Sequence, residues 1–149
     1  FKDLTKDQIV LMGRKTYESL PARYQPLPDR LNVILSRDER FKDQHETTDV
    51  WVYPNISDFI ETYYSLDSDF QKKDLFIIGG ESVYKRLIAI ASTIYETIIY
   101  KHFEGDAYGP NIDGNIWTCV KTSEMKNYNG LQFQFKEHRR TTCLLQSQM

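Results

Sequence analysis

The sequence predicts an α/β fold: a mostly parallel central sheet with flanking helices and an antiparallel C-terminal edge. Three observations carry that expectation. Short, mainly apolar runs at Ile9–Met12, Leu31–Leu35 and Asp74–Ile78 end in glycine or in a Ser-Arg turn, as strands covered on both faces do. Segments of helical spacing lie between such runs, so strand and helix alternate. After Gly105 the alternation stops, and two strand-like stretches follow with no helix between them, the pattern of antiparallel neighbours.

The elements follow in chain order. Ile9–Met12 closes on Gly13, and Arg14-Lys15-Thr16 leads into a short helix around Thr16–Leu20 that Pro21 stops. Pro21, Pro26 and Pro28 make residues 21–29 a loop without regular structure. Leu31–Leu35 is a buried strand closing on Ser36-Arg37, and a charged loop over 38–49 precedes a short strand, Val50–Tyr53. Ile56, Phe59, Ile60 and Tyr63 recur at helical spacing, with Ser57 placed to cap that helix. Asp74–Ile78 ends in Gly79-Gly80. Ser82–Ala91 then sets Val83, Leu87, Ile88 and Ile90 around Lys85 and Arg86, as an amphipathic helix does. Ile94–Tyr100 is a further strand. Asn115–Thr122 and Leu131–Glu137 are expected to pair antiparallel, joined through Asn127–Gly130. In the second of these, Leu131, Phe133 and Phe135 alternate with Gln132, Gln134 and Lys136, the mark of a half-exposed strand.

Composition narrows the function. A chain of 149 residues without repeats or linkers is the size of one domain, taken as residues 1–140 with 141–149 unassigned. A formal net charge of −2 lacks the basic footprint of a general nucleic-acid binder. No run of about eighteen apolar residues is present to cross a bilayer. Cys119 and Cys143 show no CxxC or metal spacing and read as free thiols of a reducing cytoplasm, and His45, His102 and His138 are too scattered for a zinc site. Phe1 stands where an initiator Met is usual, so the sequence is expected to continue something longer.

The turns carry the chemistry. Ligands of open parallel sheets bind beyond the carboxyl ends of the strands. Here those ends carry Gly13-Arg14-Lys15, Ser36-Arg37 and Gly79-Gly80. Glycine lets backbone approach a phosphate closely, and Arg and Lys add charge-assisted hydrogen bonds to its oxygens. Two basic turns, with no acid set to grip a ribose hydroxyl, lean toward NADPH over NADH. Each turn alone also reads as a plain tight turn or a solvated surface charge, and the spacing is not the GxGxxG fingerprint. Glu81 suits the start of a helix but would repel a phosphate beside it.

Four blocks, LMGRKTYESLP (Leu11–Pro21), PLPDRLNVILSR (Pro26–Arg37), FIIGGESVYK (Phe76–Lys85) and IYETIIYKHFEGDAYGP (Ile94–Pro110), resemble dihydrofolate reductase in order and spacing. The resemblance implies NADPH-dependent reduction of dihydrofolate, by hydride transfer to pterin C6 and protonation of N5. It implies a cofactor site at Gly13, Arg14, Lys15, Thr16, Leu35, Ser36, Arg37, Gly79, Gly80, Glu81, Ser82, Val83 and Tyr84, with Ser36 and Arg37 on the 2′-phosphate and a cis peptide between Gly79 and Gly80. On the substrate side it implies Phe1, Ser19, Leu20, Leu27 and Ile78 as pocket lining. Arg30 would clamp the carboxylate of the glutamate tail, and Thr97 would support the pterin-binding acid. It also implies that antifolates bind, that the protein is cytoplasmic and monomeric, and that fusion to a thymidylate synthase is compatible with the pattern.

The family's first strand, mobile loop and pterin-binding Asp or Glu precede the position matched by Phe1. Asp3 and Asp7 follow that position and do not stand in. The sequence is therefore expected to be part of a complete enzyme. Two alternatives stand beside this reading: an NADPH-binding fragment or half of a complementing pair, and a related pteridine or pyrimidine reductase, against which the PLPxR setting of Arg30 argues.

Overall fold

The structure, a computed structural model, describes residues 1–141 as two compact units, Phe1–Arg86 and the segment from Leu87 onward. The first unit is the α/β part. After a short helix α1 (Lys2–Thr5), strand β1 (Ile9–Gly13) runs into helix α2 (Arg14–Ser19), and β2 (Leu31–Leu35) follows the proline-rich loop. Helix α3 (Glu39–His45), strand β3 (Val50–Tyr53), helices α4 (Ile56–Ser65) and α5 (Ser68–Gln71), strand β4 (Leu75–Ile77) and helix α6 (Glu81–Leu87) complete the order. The four strands form one parallel sheet, β3-β2-β1-β4, with Gly13 level with Leu35 and Leu11 level with Ile77.

Burial explains this order. Ile9, Val10, Leu11 and Met12 are all fully buried, as expected of an interior strand covered on both faces. Val10, Met12, Tyr17, Ile34, Phe41, Val50 and Val52 form one packed cluster, against which Leu20, Leu27, Phe76 and Ile78 also rest.

Several local expectations are corrected. Residues 38–49 are not simply a loop: Asp38 caps α3 by accepting from Arg40 N–H (3.0 Å) and Phe41 N–H (3.3 Å), and buried Phe41 fastens the helix to the core. The α4 cap is Asn55, whose side chain accepts from Asp58 N–H at 3.1 Å, and not Ser57, which lies inside the helix. The loop after Pro21 contains a 3-10 turn, Ala22–Tyr24. The α2 helix begins at Arg14, two residues earlier than the sequence suggests.

The second unit is antiparallel. Strand β8 (Leu131–Arg140) pairs with β5 (Thr93–Ile99) on one side and β6 (Trp117–Thr122) on the other, and with β7 (Lys126–Tyr128) through a tight turn at Asn129 and Gly130. Both turn residues have positive φ, 49° and 79°, which Asn-Gly tolerates well. The antiparallel pairing of the C-terminal strands matches the expectation. They nevertheless hydrogen-bond as a sheet of their own, and β5 belongs with them, not to the parallel series. Strict alternation in β8 fails as well, since Phe135 is 47% exposed while Gln134 is half-buried.

The amphipathic stretch expected to run to Ala91 stops being helical at Leu87. The carbonyls of Ile88, Ala89 and Ala91 are taken by the Arg140 guanidinium at 2.7, 3.0 and 3.0 Å, and the same guanidinium lies 4.6 Å over Trp117. Cys119 is an exposed free thiol; Cys143 and the rest of the unassigned tail beyond Thr141 lie outside the described residues. Among the described residues no helix is long and apolar enough to cross a membrane.

Candidate active site

The carboxyl ends of β1 and β4 are tied together: Ile78 N–H donates to Leu11 O and Gly13 N–H to Gly79 O, both at 2.8 Å. Three glycines make this approach possible. A Cβ on Gly13 would sit 3.2 Å from Val83 Cγ2, and one on Gly80 would sit 3.2 Å from Thr16 Oγ1. Gly79 has φ +111°, and a Cβ there would come within 3.0 Å of the Tyr84 ring. Gly13, Thr16, Gly79, Gly80, Val83 and Tyr84 thus converge at one end of the parallel sheet. The Gly79–Gly80 peptide is cis, as the resemblance implied, and Gln25–Pro26 is a second cis bond that the sequence did not announce. Burial pushes the Tyr84 phenol above its ordinary value, so it remains a neutral O–H donor. Glu81, the awkward acid at the start of α6, has Lys85 one turn on as an ion-pair partner, which offsets its charge. Ser82 beside it is exposed.

The basic residues differ in how firmly they are held. Arg14 donates from Nε to Glu18 (2.7 Å) and from Nη1 to Asp38 (2.6 Å), with its guanidinium 4.7 Å over the Phe41 ring. Lys15 and Arg37 are exposed, and among the described residues neither has a side-chain hydrogen bond or ion pair. Leu35 is half-buried at the end of β2. Next to it Ser36 donates its N–H to Tyr53 O (2.9 Å), and its Oγ accepts from Asp38 N–H (3.2 Å). That leaves the Ser36 hydroxyl proton free to donate outward.

Asp38 therefore serves two roles, as cap of α3 and as partner of Arg14. Its carboxyl is held below the ordinary carboxylate range, chiefly by the Arg14 hydrogen bond and then by Phe41 N–H. A carboxylate with a lower pKa folded than unfolded adds stability above the unfolded pKa and loses it as pH falls through the folded value. Thermal unfolding scanned toward acid is expected to show this loss below the ordinary carboxylate pKa. Asp38→Asn keeps the cap and is expected to be flatter across that window; superimposable profiles would contradict the assignment.

At the amino end of β2, Arg30 is only 8% exposed. Its Nε donates to Pro28 O (2.7 Å) and its Nη1 to Thr5 Oγ1, which in turn donates to Phe1 O (3.1 Å). No carboxylate pairs with Arg30 among the described residues, which is unusual for so enclosed a cation and leaves its remaining edge available to an anion from outside. Leu20, Leu27 and Ile78 are half-buried apolar groups on the core cluster. Ser19 Oγ is turned back to Thr16 O at 2.7 Å, and Phe1 is 65% exposed, with the Arg30 guanidinium 6.0 Å from its ring. Thr97 belongs to the second unit, exposed on β5 opposite Phe135.

Sequence reasoning missed Thr5, Asn32 and Asp38. For Asn32 a signal was present: a polar residue inside an otherwise apolar strand must find buried partners.

Comparison with known proteins gives one family. A family model described as Dihydrofolate reductase matches residues 1–140. The dihydrofolate reductase of Mycoplasma genitalium is 36% identical over 137 residues, covering 92% of this chain and 81% of that protein. The dihydrofolate reductase of Lactococcus lactis is 34% identical over 111 residues, 74% of this chain and 61% of that protein. The bifunctional dihydrofolate reductase-thymidylate synthase of Paramecium tetraurelia is 33% identical over 141 residues, 91% of this chain and 27% of that protein. The chain thus spans less than two-thirds of the length of the latter two relatives.

Proposed function

Because this chain belongs to the dihydrofolate reductase family, we propose that it acts in the NADPH-dependent reduction of dihydrofolate to tetrahydrofolate. One observation carries the reading: cations, a hydroxyl free to donate and close-packed glycines stand at the carboxyl ends of neighbouring strands, and at the amino end of β2 an enclosed arginine has no counter-ion among the described residues. The glycine turns fit a phosphate-bearing dinucleotide, since backbone without side chains lets phosphate oxygens approach closely, while a Cβ at Gly13, Gly79 or Gly80 would press on Val83, Tyr84 or Thr16 and disturb the turns. When bound, NADPH supplies the hydride from its nicotinamide.

The chain's own residues bind and orient. Ser36 donates its hydroxyl proton, and Arg37 the N–H groups of its exposed guanidinium, to the 2′-phosphate. Lys15, Thr16 and the pre-aligned Arg14 serve the other phosphates, with Gly13, Leu35 and Gly79 to Tyr84 completing the contact. Leu20, Leu27, Ile78, Phe1 and Ser19 border the pterin and benzoyl groups, largely by apolar contact. Arg30 grips the tail carboxylate through a planar fork that Lys could not reproduce. Thr97 belongs to the same reading as the hydroxyl that orders the pterin-binding acid. The enzyme is placed in the cytoplasm, where an exposed thiol such as Cys119 stays reduced.

The test is NADPH oxidation by the intact protein, with and without dihydrofolate. Oxidation is expected to require dihydrofolate. A folded protein that binds neither ligand would end the reading.

A further inference from the structure

We propose that Asn32 is the positioning residue of the substrate loop, and that its buried amide sets the affinity for a carboxylate-tailed folate by holding Leu27 and Arg30 in place. The inference rests on the reading of Arg30 given above. Asn32 is fully buried in β2, its backbone fixed by the sheet, level with Val10 on one side and Val50 on the other. Its side chain turns toward the loop. Oδ1 accepts from Leu27 N–H at 3.0 Å, and Nδ2 donates to Leu27 O at 2.9 Å, so the amide pairs with Leu27 as a neighbouring strand would. Nδ2 also reaches Arg30 O at 3.1 Å and Asp49 O at 3.4 Å.

Around Leu27 the loop is held by Gln25 Nε2 on the Glu18 and Leu20 carbonyls and by Asp7 N–H on Asp29 O, but none of these reaches Leu27 itself. Leu27 stands between Pro26 and Pro28, neither of which has an N–H, so the Leu27 amide is the one backbone donor in that stretch. Pro28 O in turn accepts from Arg30 Nε. Asn32 therefore sets Leu27 directly, the guanidinium of Arg30 through the Pro28 carbonyl, and the Arg30 backbone through its own carbonyl. No similar side chain does this. Asp has no amide donor, Leu has neither group, and Ser is too short to span Leu27 and Arg30.

The experiment compares dihydrofolate with dihydropteroate, which carries the same pterin without the glutamate, in wild-type, Arg30→Leu, Asn32→Leu and the double variant. Asn32→Leu is expected to raise KM for dihydrofolate about tenfold. Its kcat should change less than about twofold, and its KM for dihydropteroate, which feels the change only through Leu27, should rise no more than about threefold. In the ratio of the two substrates the double variant is expected to resemble Arg30→Leu alone, since both substitutions act on the tail through that one contact. A purely structural Asn32 would lower stability and leave this split unmoved, and equal effects on the two substrates would overturn the proposal. If Arg30→Leu itself shows no split, the reading of Arg30 fails and takes the proposal with it. If only Asn32→Leu lacks the split, the proposal fails alone. Should Asn32→Leu not fold, amide exchange in the wild-type protein decides. Leu27 N–H is expected to be protected like the β2 amides, and exchange as fast as that of an open loop would overturn the inference.

Discussion

Arg30→Leu is expected to raise KM for dihydrofolate by about two orders of magnitude, equivalent to about 3 kcal/mol, with kcat within a few-fold of wild type. The size follows from the setting. Arg30 is nearly enclosed, its Nε and Nη1 are already committed to Pro28 O and Thr5 Oγ1, and it has no acidic partner among the described residues. The guanidinium is thus fixed before any ligand arrives, so little side-chain entropy is lost on binding, and a carboxylate meets a charge poorly screened by water. Leu fills comparable space without charge. The loss should therefore appear in binding and not in the chemical step. A ligand without a carboxylate tail should be nearly indifferent to the change. Unaltered affinity for dihydrofolate would remove Arg30 from the site and favour a reductase whose substrate has no such tail.

Gly79→Ala is expected to be the most damaging single-methyl addition in the first unit, costing about 2–3 kcal/mol of stability and weakening NADPH binding at least about tenfold. Two penalties combine. At φ +111° a Cβ is strained whatever the space available, and here it would also lie 3.0, 3.3 and 3.4 Å from Tyr84 Cε2, Cζ and Oη. Rotation of the backbone to relieve the strain would break the 2.8 Å bond from Gly13 N–H to Gly79 O, which joins the two strand ends. Adding Tyr84→Leu should recover only the contact share of the loss, because the backbone share has no remedy at that φ. Thermal unfolding and NADPH titration of the two variants check this; a Gly79→Ala protein as stable as wild type would show that the turn adopts another conformation.

The parallel strands and their closing turns were legible because each is a mainly apolar run, broken in β2 only by Asn32, ending in a residue type with a definite local role. Gly13, Ser36 and Gly79 are examples. The α3 helix was not, because its sequence from Glu39 to His45 is polar or charged apart from Phe41, and one buried ring leaves no periodicity to count. What creates it is the Asp38 cap, a local signal hidden in a run of charges. Strand β5 was recognised, but its sheet was not, since Ile94–Tyr100 is as compatible with a parallel as with an antiparallel neighbour. Pairing is decided by β8, some forty residues away. In the site, the residues that would touch ligand were readable from turn chemistry and family resemblance. Those that hold them were not: Thr5 under Arg30 and Asp38 beside Arg14 have partners distant in sequence that become neighbours only in the folded chain, and Asn32, though only five residues from Leu27, betrays its need for a partner without naming it.

The central claim, that the basic turns at the strand ends receive a dinucleotide bearing a 2′-phosphate, is tested most directly by titrating NADPH and NADH against wild-type protein and Arg37→Gln. Wild type is expected to prefer NADPH by about tenfold or more, and Arg37→Gln to lose most of that preference by weakening NADPH alone. Equal affinity of wild type for the two nucleotides, or an Arg37→Gln variant that keeps the full preference, would contradict the account.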